Sequence, residues 1–406
     1  MMAKTKPSRP SVTGPLAQYA DGFRAELARL GYTPLTTASQ LRLMAHLSRW
    51  LAAEGLDAPA LTAPTAERYF ADRRSAGYAN ERTVAALGPL LGYLRRLGAV
   101  PVAVAASPAT ATGQLLARYQ AYLTVERGLA TSTAGLNARL LRPFLDGHAA
   151  RHGGRLDVKE LTAGDVTSFV LEQSARRSRP VKRIVSALRS FLGFLCVEGL
   201  IGQPLAPAVP SPPGWTLTGL PRALPDSEVA ALLASCDAER PAGQRDLAIL
   251  TLLVRLGLRA GEVAALRLDD IHWRRGELVV RGKAGRTDRL PLPADVGEKI
   301  AAYLRDCRPG SAGCRAVFTT ALAPYRPLSP GGVTTVVAAA GRRAGLGTIH
   351  AHRLRHSAAT AMLHAGGSLR EIGDVLRHRR AMTTAIYAKL DLEALRRLAR
   401  PWPEVA

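Results

Sequence analysis

Apolar residues recur at steps of three and four through the first half of the chain, the period of helices that bury one face. Leu16, Tyr19, Phe23, Leu27 and Leu30 form one such series, with Gly31 as its stop. Leu41, Met44, Leu47 and Leu51 predict a second helix. The pattern then repeats. LTAPTAERYF at 61–70 matches LTAGDVTSFV at 161–170, and Arg73-Arg74-Ser75 matches Arg176-Arg177-Ser178. VAALGPLLGYLRRLG at 84–98 matches VSALRSFLGFLCVEG at 185–199, with Leu87/Leu188, Leu91/Leu192, Leu94/Leu195 and Gly98/Gly199 coincident. An ordered series of matches at a nearly constant offset is the mark of duplication. Two small four-helix units are expected, 12–103 and 112–203, after a basic arm over 1–11. Thr162 and Asp165 predict a capping box at the third helix of the second unit.

Residues 204–221 carry six prolines and two glycines, which oppose both helix and sheet and predict a linker. A mixed α+β domain is expected over 222–400, followed by a tail at 401–406. Asp226 and Glu228 open a helix, and RDLAILTLLVRLG is apolar enough to be central. ELVVRG (277–282) and DRLPLP (288–293) predict two antiparallel strands with KAGRT between them, and VFTT (317–320) a third strand or an edge. Ser329-Pro330 and the Ser368/Glu371 capping box start two further helices. MTTAIYAKL and LEALRRLA predict the last two helical pieces.

Composition adds a partner. The chain of 406 residues carries 55 Lys and Arg against 32 Asp and Glu, a net charge of +23. A field of that sign attracts polyanions, nucleic acid first among them. RRSRPVKR concentrates Arg176, Arg177, Arg179, Lys182 and Arg183 between two helices of the second unit, a stretch suited to backbone phosphates. No apolar run is long enough for a membrane span, and no apolar segment follows the basic N-terminus. Cys196, Cys236, Cys307 and Cys314 form no metal-binding pattern, so reduced thiols in a cytoplasmic protein are expected.

Six residues of the last third carry chemistry: Arg259, Lys283, His352, Arg355, His378 and Tyr387. Attack on a phosphodiester concentrates charge on its non-bridging oxygens, and fixed donors aimed at them are the remedy. Arginine suits this through its planar fork and permanent charge, which makes Arg259 and Arg355 the candidates. Glu262, three residues after Arg259, is placed to hold neighbouring side chains. His352 shares a helix face with Arg355 and can move a proton near neutral pH, whereas His356 is expected to point elsewhere and pack. Lys283 stands where the first strand enters its turn, as a flexible ammonium. Tyr387 is a weak nucleophile until neighbouring cations favour its anion. The set calls for no metal and no cofactor.

Together these residues resemble the tyrosine recombinase family, the phage-type integrases and their chromosomal and transposon relatives. The boxes are G-L-R-x-G-E, G-K-x-G-x-x-x-R-L-P-L and H-x-L-R-H, with a tyrosine nine residues after a histidine. The resemblance covers 222–400 closely and 112–203 more loosely, as the family's SAM-like core-binding domain. It implies a multidomain, mainly α protein: two SAM-like bundles, then a catalytic domain with a small antiparallel sheet. It implies a site-specific recombinase of a mobile element, in which Tyr387 forms a 3′-phosphotyrosyl link. Arg259, Arg355 and His378 would hold the phosphate, His352 would assist proton transfer, and Lys283 would protonate the leaving 5′ oxygen. It implies double-stranded DNA carrying specific sites, a tetrameric synapse with exchange of the C-terminal tail, and accessory recombinases as partners. Leu392, Leu395 and Leu398 supply an apolar strip for that exchange. A catalytically idle accessory protein and a type IB topoisomerase are the alternatives. One departure stands out: the family has Leu-Gly-His where this chain has Leu376-Arg377-His378.

Overall fold

The computed structural model describes residues 10–78, 80, 83–101, 110–176, 181–211, 223–282, 286–377 and 384. Contacts divide the chain into two compact units, Val104–Thr216 and a second that joins Met1–Ala103 to Leu217–Ala406. Within that second unit the residues before 103 and those after 217 keep separate apolar cores.

The first bundle contains α1 (Ala20–Arg29), α2 (Pro34–Ala53), α3 (Ala63–Ser75) and α4 (Gly88–Arg96). Phe23 and Leu27 of α1 pack with Leu41, Met44, Leu47 and Leu51 of α2, the residues that the periodicity picks out. Gly31 ends the first helix at φ 82°, a left-handed conformation that glycine adopts without a Cβ clash.

The Val104–Thr216 unit contains α5 (Ala111–Val125), α6 (Thr131–Arg151), α7 (Ala163–Ala175) and α8 (Val181–Val197). Thr62 caps α3 and Thr162 caps α7, the latter with the expected reciprocal box to Asp165. The buried residues of α3 are Ala66, Tyr69, Phe70 and Arg73; those of α7 are Val166, Phe169, Val170 and Gln173. These sets differ by the same offset throughout. Leu87, Leu91 and Leu94 are buried in one bundle and Leu188, Leu192 and Leu195 in the other. Gly98 (φ 70°) and Gly199 (φ 65°) are both left-handed. In this register Arg73 stands opposite Gln173, not Arg176. Arg73 is buried with its guanidinium 4.0 Å from the Tyr78 ring, whereas Arg176 follows α7 and is exposed.

Of the linker expected at 204–221, residues 212–221 lie outside the described residues, and the part before them is packed. Ala206–Ala208 form a 3-10 turn, and Val209 is buried in the core of the second bundle. Arg189 donates to Val209 O and to Ser211 Oγ, each at 2.8 Å. A proline-rich stretch with a single 3-10 turn still packs when its apolar residues find a helix face.

The last domain contains α9 (Asp226–Ala234), α10 (Pro241–Leu256), α11 (Ala260–Ala265), α12 (Ala294–Ala302), α13 (Pro330–Arg343), α14 (Ala351–His364) and α15 (Leu369–Val375). α10 is central: Ala248, Ile249, Leu250, Leu252 and Leu253 are all fully buried. The sheet is antiparallel with order β1 (Ile271–His272), β2 (Glu277–Arg281), β3 (Thr287–Pro291). Its third strand is therefore Ile271–His272 and not VFTT, where Thr319 makes an isolated bridge with Pro327; a second isolated bridge joins Arg267 to Ala316, just before VFTT. Ser329 and Ser368 accept from the backbone N–H three residues on, as expected of helix caps. The two last helical pieces, 382–390 and 392–399, lie outside the described residues apart from Thr384, which is helical and buried. Among the described residues no helix is long and apolar enough to cross a membrane.

Candidate functional site

α10 ends at Gly257 in the left-handed conformation, φ 57°. That turn reverses the chain and sets Arg259 at the start of α11. A Cβ at Gly257 would lie 2.5 Å from Leu376 Cδ2 and 3.8 Å from Arg355 Cγ. Three segments distant in sequence thus meet at one point: the turn 257–259, the helix carrying Arg355, and the turn 376–377.

Glu262 is the hub of this site and is only 4% exposed. One carboxylate oxygen accepts from Arg259 Nη1 at 2.7 Å. The other accepts from the Arg259 backbone N–H at 2.8 Å and from Arg377 Nη2 at 2.7 Å. Burial pushes this carboxyl's pKa up, but the Arg259 backbone bond, the Arg377 charge and the two guanidinium bonds more than reverse it. Glu262 is held below the ordinary range and carries its charge at neutral pH. The ion pair weighed in its sequence context is present, with two arginines rather than one.

Arg259 leaves 46% of its side chain exposed, so part of its donor fork faces solvent while the rest is anchored. Its Nη2 donates to Arg377 O at 3.3 Å. Arg355 is 2% exposed. Its guanidinium donates to Gly257 O and to Leu376 O, tying both turns together. Both arginines therefore reach the same short turn, Leu376–Arg377, from different elements.

His352 and His356 lie one helical turn apart on α14, with ring centroids 4.3 Å apart and planes at 71°. His356 thus faces His352 instead of pointing elsewhere, because residues four apart share a helix face. Partial burial, then the Arg355 and Arg259 charges, hold the His352 pKa below its usual value. Burial, then His352 and Arg355, lower that of His356 to about 4. Both imidazoles are neutral at pH 7, and a neutral ring can accept a proton.

Lys283, His378 and Tyr387 lie outside the described residues, as do Arg177 and Arg179. The flanks of Lys283 are placed: β2 pairs with β3 up to Arg281 and Thr287, and Gly282 N–H donates to Arg286 O at 2.7 Å. His378 follows directly on the Arg377 turn. Of the basic run, Arg176 follows α7, and Lys182 and Arg183 are exposed in the first turn of α8. Among the described residues no cluster of His, Cys, Asp and Glu is arranged to hold a metal ion.

The departure at Arg377 stands out in the sequence, but its partner, Glu262, does not. Arg377 is the only non-glycine residue with positive φ among the described residues, at 56°. Its signal was the missing glycine in Leu376-Arg377-His378; where its side chain goes depends on Glu262, more than a hundred residues away in the chain.

Residues 222–393 match the phage integrase family, and residues 116–199 match the phage integrase N-terminal SAM-like domain. The chain is 41% identical over 403 residues to the integrase/recombinase y4rA of Sinorhizobium fredii, covering 98% of this chain and 96% of that protein. It is 30% identical over 271 residues to the tyrosine recombinase XerD of Listeria monocytogenes, covering 66% of this chain and 90% of XerD. Among solved structures, the XerH site-specific recombinase bound to a palindromic difH substrate aligns with a TM-score of 0.55 at 17% identity, over 84% of this chain and 95% of that one. That likeness is one of fold.

Proposed function

Because the chain belongs to the phage integrase family of tyrosine recombinases, we propose that it is an active site-specific recombinase of a mobile element, cutting and rejoining DNA through a 3′-phosphotyrosyl intermediate. The observation that carries this reading is the convergence of Arg259 and Arg355 on the Leu376–Arg377 turn. His378 leaves that turn, and Tyr387 follows nine residues later.

The chemistry is a balanced transesterification. The Tyr387 phenolic oxygen forms a bond to phosphorus as the bond from phosphorus to the 5′ oxygen breaks. The phenol's proton passes to neutral His352, and Lys283 gives a proton to the departing 5′ oxygen. Arg259, Arg355 and His378 hold the non-bridging oxygens, where charge gathers. One phosphoester bond is exchanged for another, so religation to a new strand needs no external energy source. Arg176, Arg177, Arg179, Lys182 and Arg183 contact backbone phosphate and position the duplex. The partners are duplex DNA with paired recombination sites and further copies of the chain in a tetrameric synapse.

The test uses nicked suicide duplexes cut from the DNA flanking the gene, with the covalent protein–DNA band read on a denaturing gel. Wild type forms the band and Tyr387→Phe does not. No band from wild type on any flanking segment defeats the proposal. Strand exchange between two sites, against relaxation of a site-free plasmid, separates recombinase from topoisomerase.

A further inference from the structure

We propose that Arg377, which stands where the family motif has glycine, is a positioning residue that locks Arg259 through Glu262 and fixes the turn leading to His378. The inference rests on the recombinase reading above.

Arg377 occupies a conformation that a side chain opposes and glycine takes freely. It ends α15, with its N–H donating to Asp374 O at 3.0 Å. Its side chain folds inward and keeps only 7% of its surface exposed. Nη1 donates to Val375 O at 2.7 Å, and Nη2 meets Glu262 at 2.7 Å. The strained backbone is compensated by an ion pair with a buried carboxylate. With the Arg377 carbonyl accepting from Arg259, the contacts close a ring: Arg259 side chain, Glu262, Arg377 side chain, Arg377 carbonyl, and Arg259 again.

Two consequences follow for the site. The first is geometric. With glycine at 377, Glu262 would hold Arg259 alone, and the turn would lack a side-chain tie to α11. With arginine, a shift of the turn must drag Glu262 and with it Arg259. The second is electrostatic. One carboxylate balances one guanidinium when 377 is glycine, but is shared between two here. The Arg259 charge is less cancelled, and the site presents an additional positive charge to a phosphate. Arg377 itself stays buried against Glu262, so it acts through Arg259.

The test measures single-turnover formation of the covalent complex on the nicked flanking duplex, together with the Kd for that duplex. Arg377→Gly fits the backbone, so folding is preserved. We expect its rate at saturating DNA to fall on the order of ten- to a hundredfold, the scale of a small misplacement of a reacting group, with Kd within about threefold of wild type. Arg377→Lys restores the charge without the fork and should recover part of the rate. In a Glu262→Gln background, Arg377→Gly should cost less than about twofold, because the link it breaks is already cut. An Arg377→Gly rate within twofold of wild type overturns the inference, as does a loss confined to Kd, or an equal loss with and without Glu262. If Glu262→Gln does not fold, the decision rests on the glycine and lysine variants alone. Absence of a covalent band from wild type speaks against the recombinase reading; a band from wild type with an unimpaired glycine variant speaks against Arg377.

Discussion

The imidazole rings of His352 and His356 meet edge to face, 4.3 Å between centroids, so His352 is backed by a second neutral imidazole. The His356 pKa lies near 4, below its ordinary value of 6.5, through burial first and His352 and Arg355 after it. A depressed histidine pKa means that the unfolded chain takes up the proton first as pH falls. Stability is therefore full above pH 6.5, declines as pH drops toward about 4, and levels off below. This term amounts to on the order of 2 kcal/mol once solvent screening is allowed for. Urea unfolding of wild type and His356→Phe at steps from pH 7 to pH 4 checks it (roughly the window between the two pKa values). The variant should lose less stability on acidification, and parallel curves would rule the assignment out.

Glu262 compensates two guanidiniums from a site that is 4% exposed. Glu262→Ala leaves Arg259 and Arg377 facing each other without a counterion. We expect a loss of about 3 kcal/mol, the scale for breaking a buried pair by removing one partner, reduced because Arg259 is partly solvated. Urea midpoints at pH 7 measure it, and a loss under about 1 kcal/mol would mean that the pair contributes little.

Neutralising Arg176, Arg177, Arg179, Lys182 and Arg183 to glutamine should weaken binding to any duplex. If all five meet phosphate, the slope of log K against log salt becomes shallower by about 4 to 5. Titrations across a salt series on specific and unrelated DNA read both effects. An unchanged slope would place the cluster away from the duplex.

Leu94 and Leu195 are equivalent, fully buried positions in two separate cores. Truncating either to alanine should cost about 2–5 kcal/mol. Hydrogen exchange should then accelerate only in the bundle that carries the change, over 10–101 for Leu94→Ala and 110–209 for Leu195→Ala. Loss of protection in both bundles from one substitution would contradict their independence.

Most elements were legible because their signals are local. The buried stripe of α2 and the capping boxes at Thr162 and Ser368 need only neighbours within a few residues. What could not be read depends on partners far away in the chain. Ile271–His272 is too short to show a period, and becomes a strand only by pairing with Leu278 and Glu277. VFTT has strand composition, but Thr319 makes only an isolated bridge, to Pro327, and Ala316 just before it bridges Arg267. Val209 looks like linker until α8 offers it a surface. Within the site, the spacing of Arg259, Glu262, His352 and Arg355 was visible. The turn of Arg377 toward Glu262 was not, since nothing near residue 377 encodes it.

Gly257 and Leu376 are close enough that a methyl group on the first would collide with the second at 2.5 Å. The left-handed backbone at Gly257 disfavours a side chain in any case, by roughly 1 kcal/mol. These two positions consequently share one mutational fate. An alanine at 257 must both bear the left-handed backbone and push the end of the Leu376 side chain aside. That displacement bears on the very turn that Arg355 grips. Substitutions at 257 and 376 are thus expected to be non-additive, each changing what the other costs.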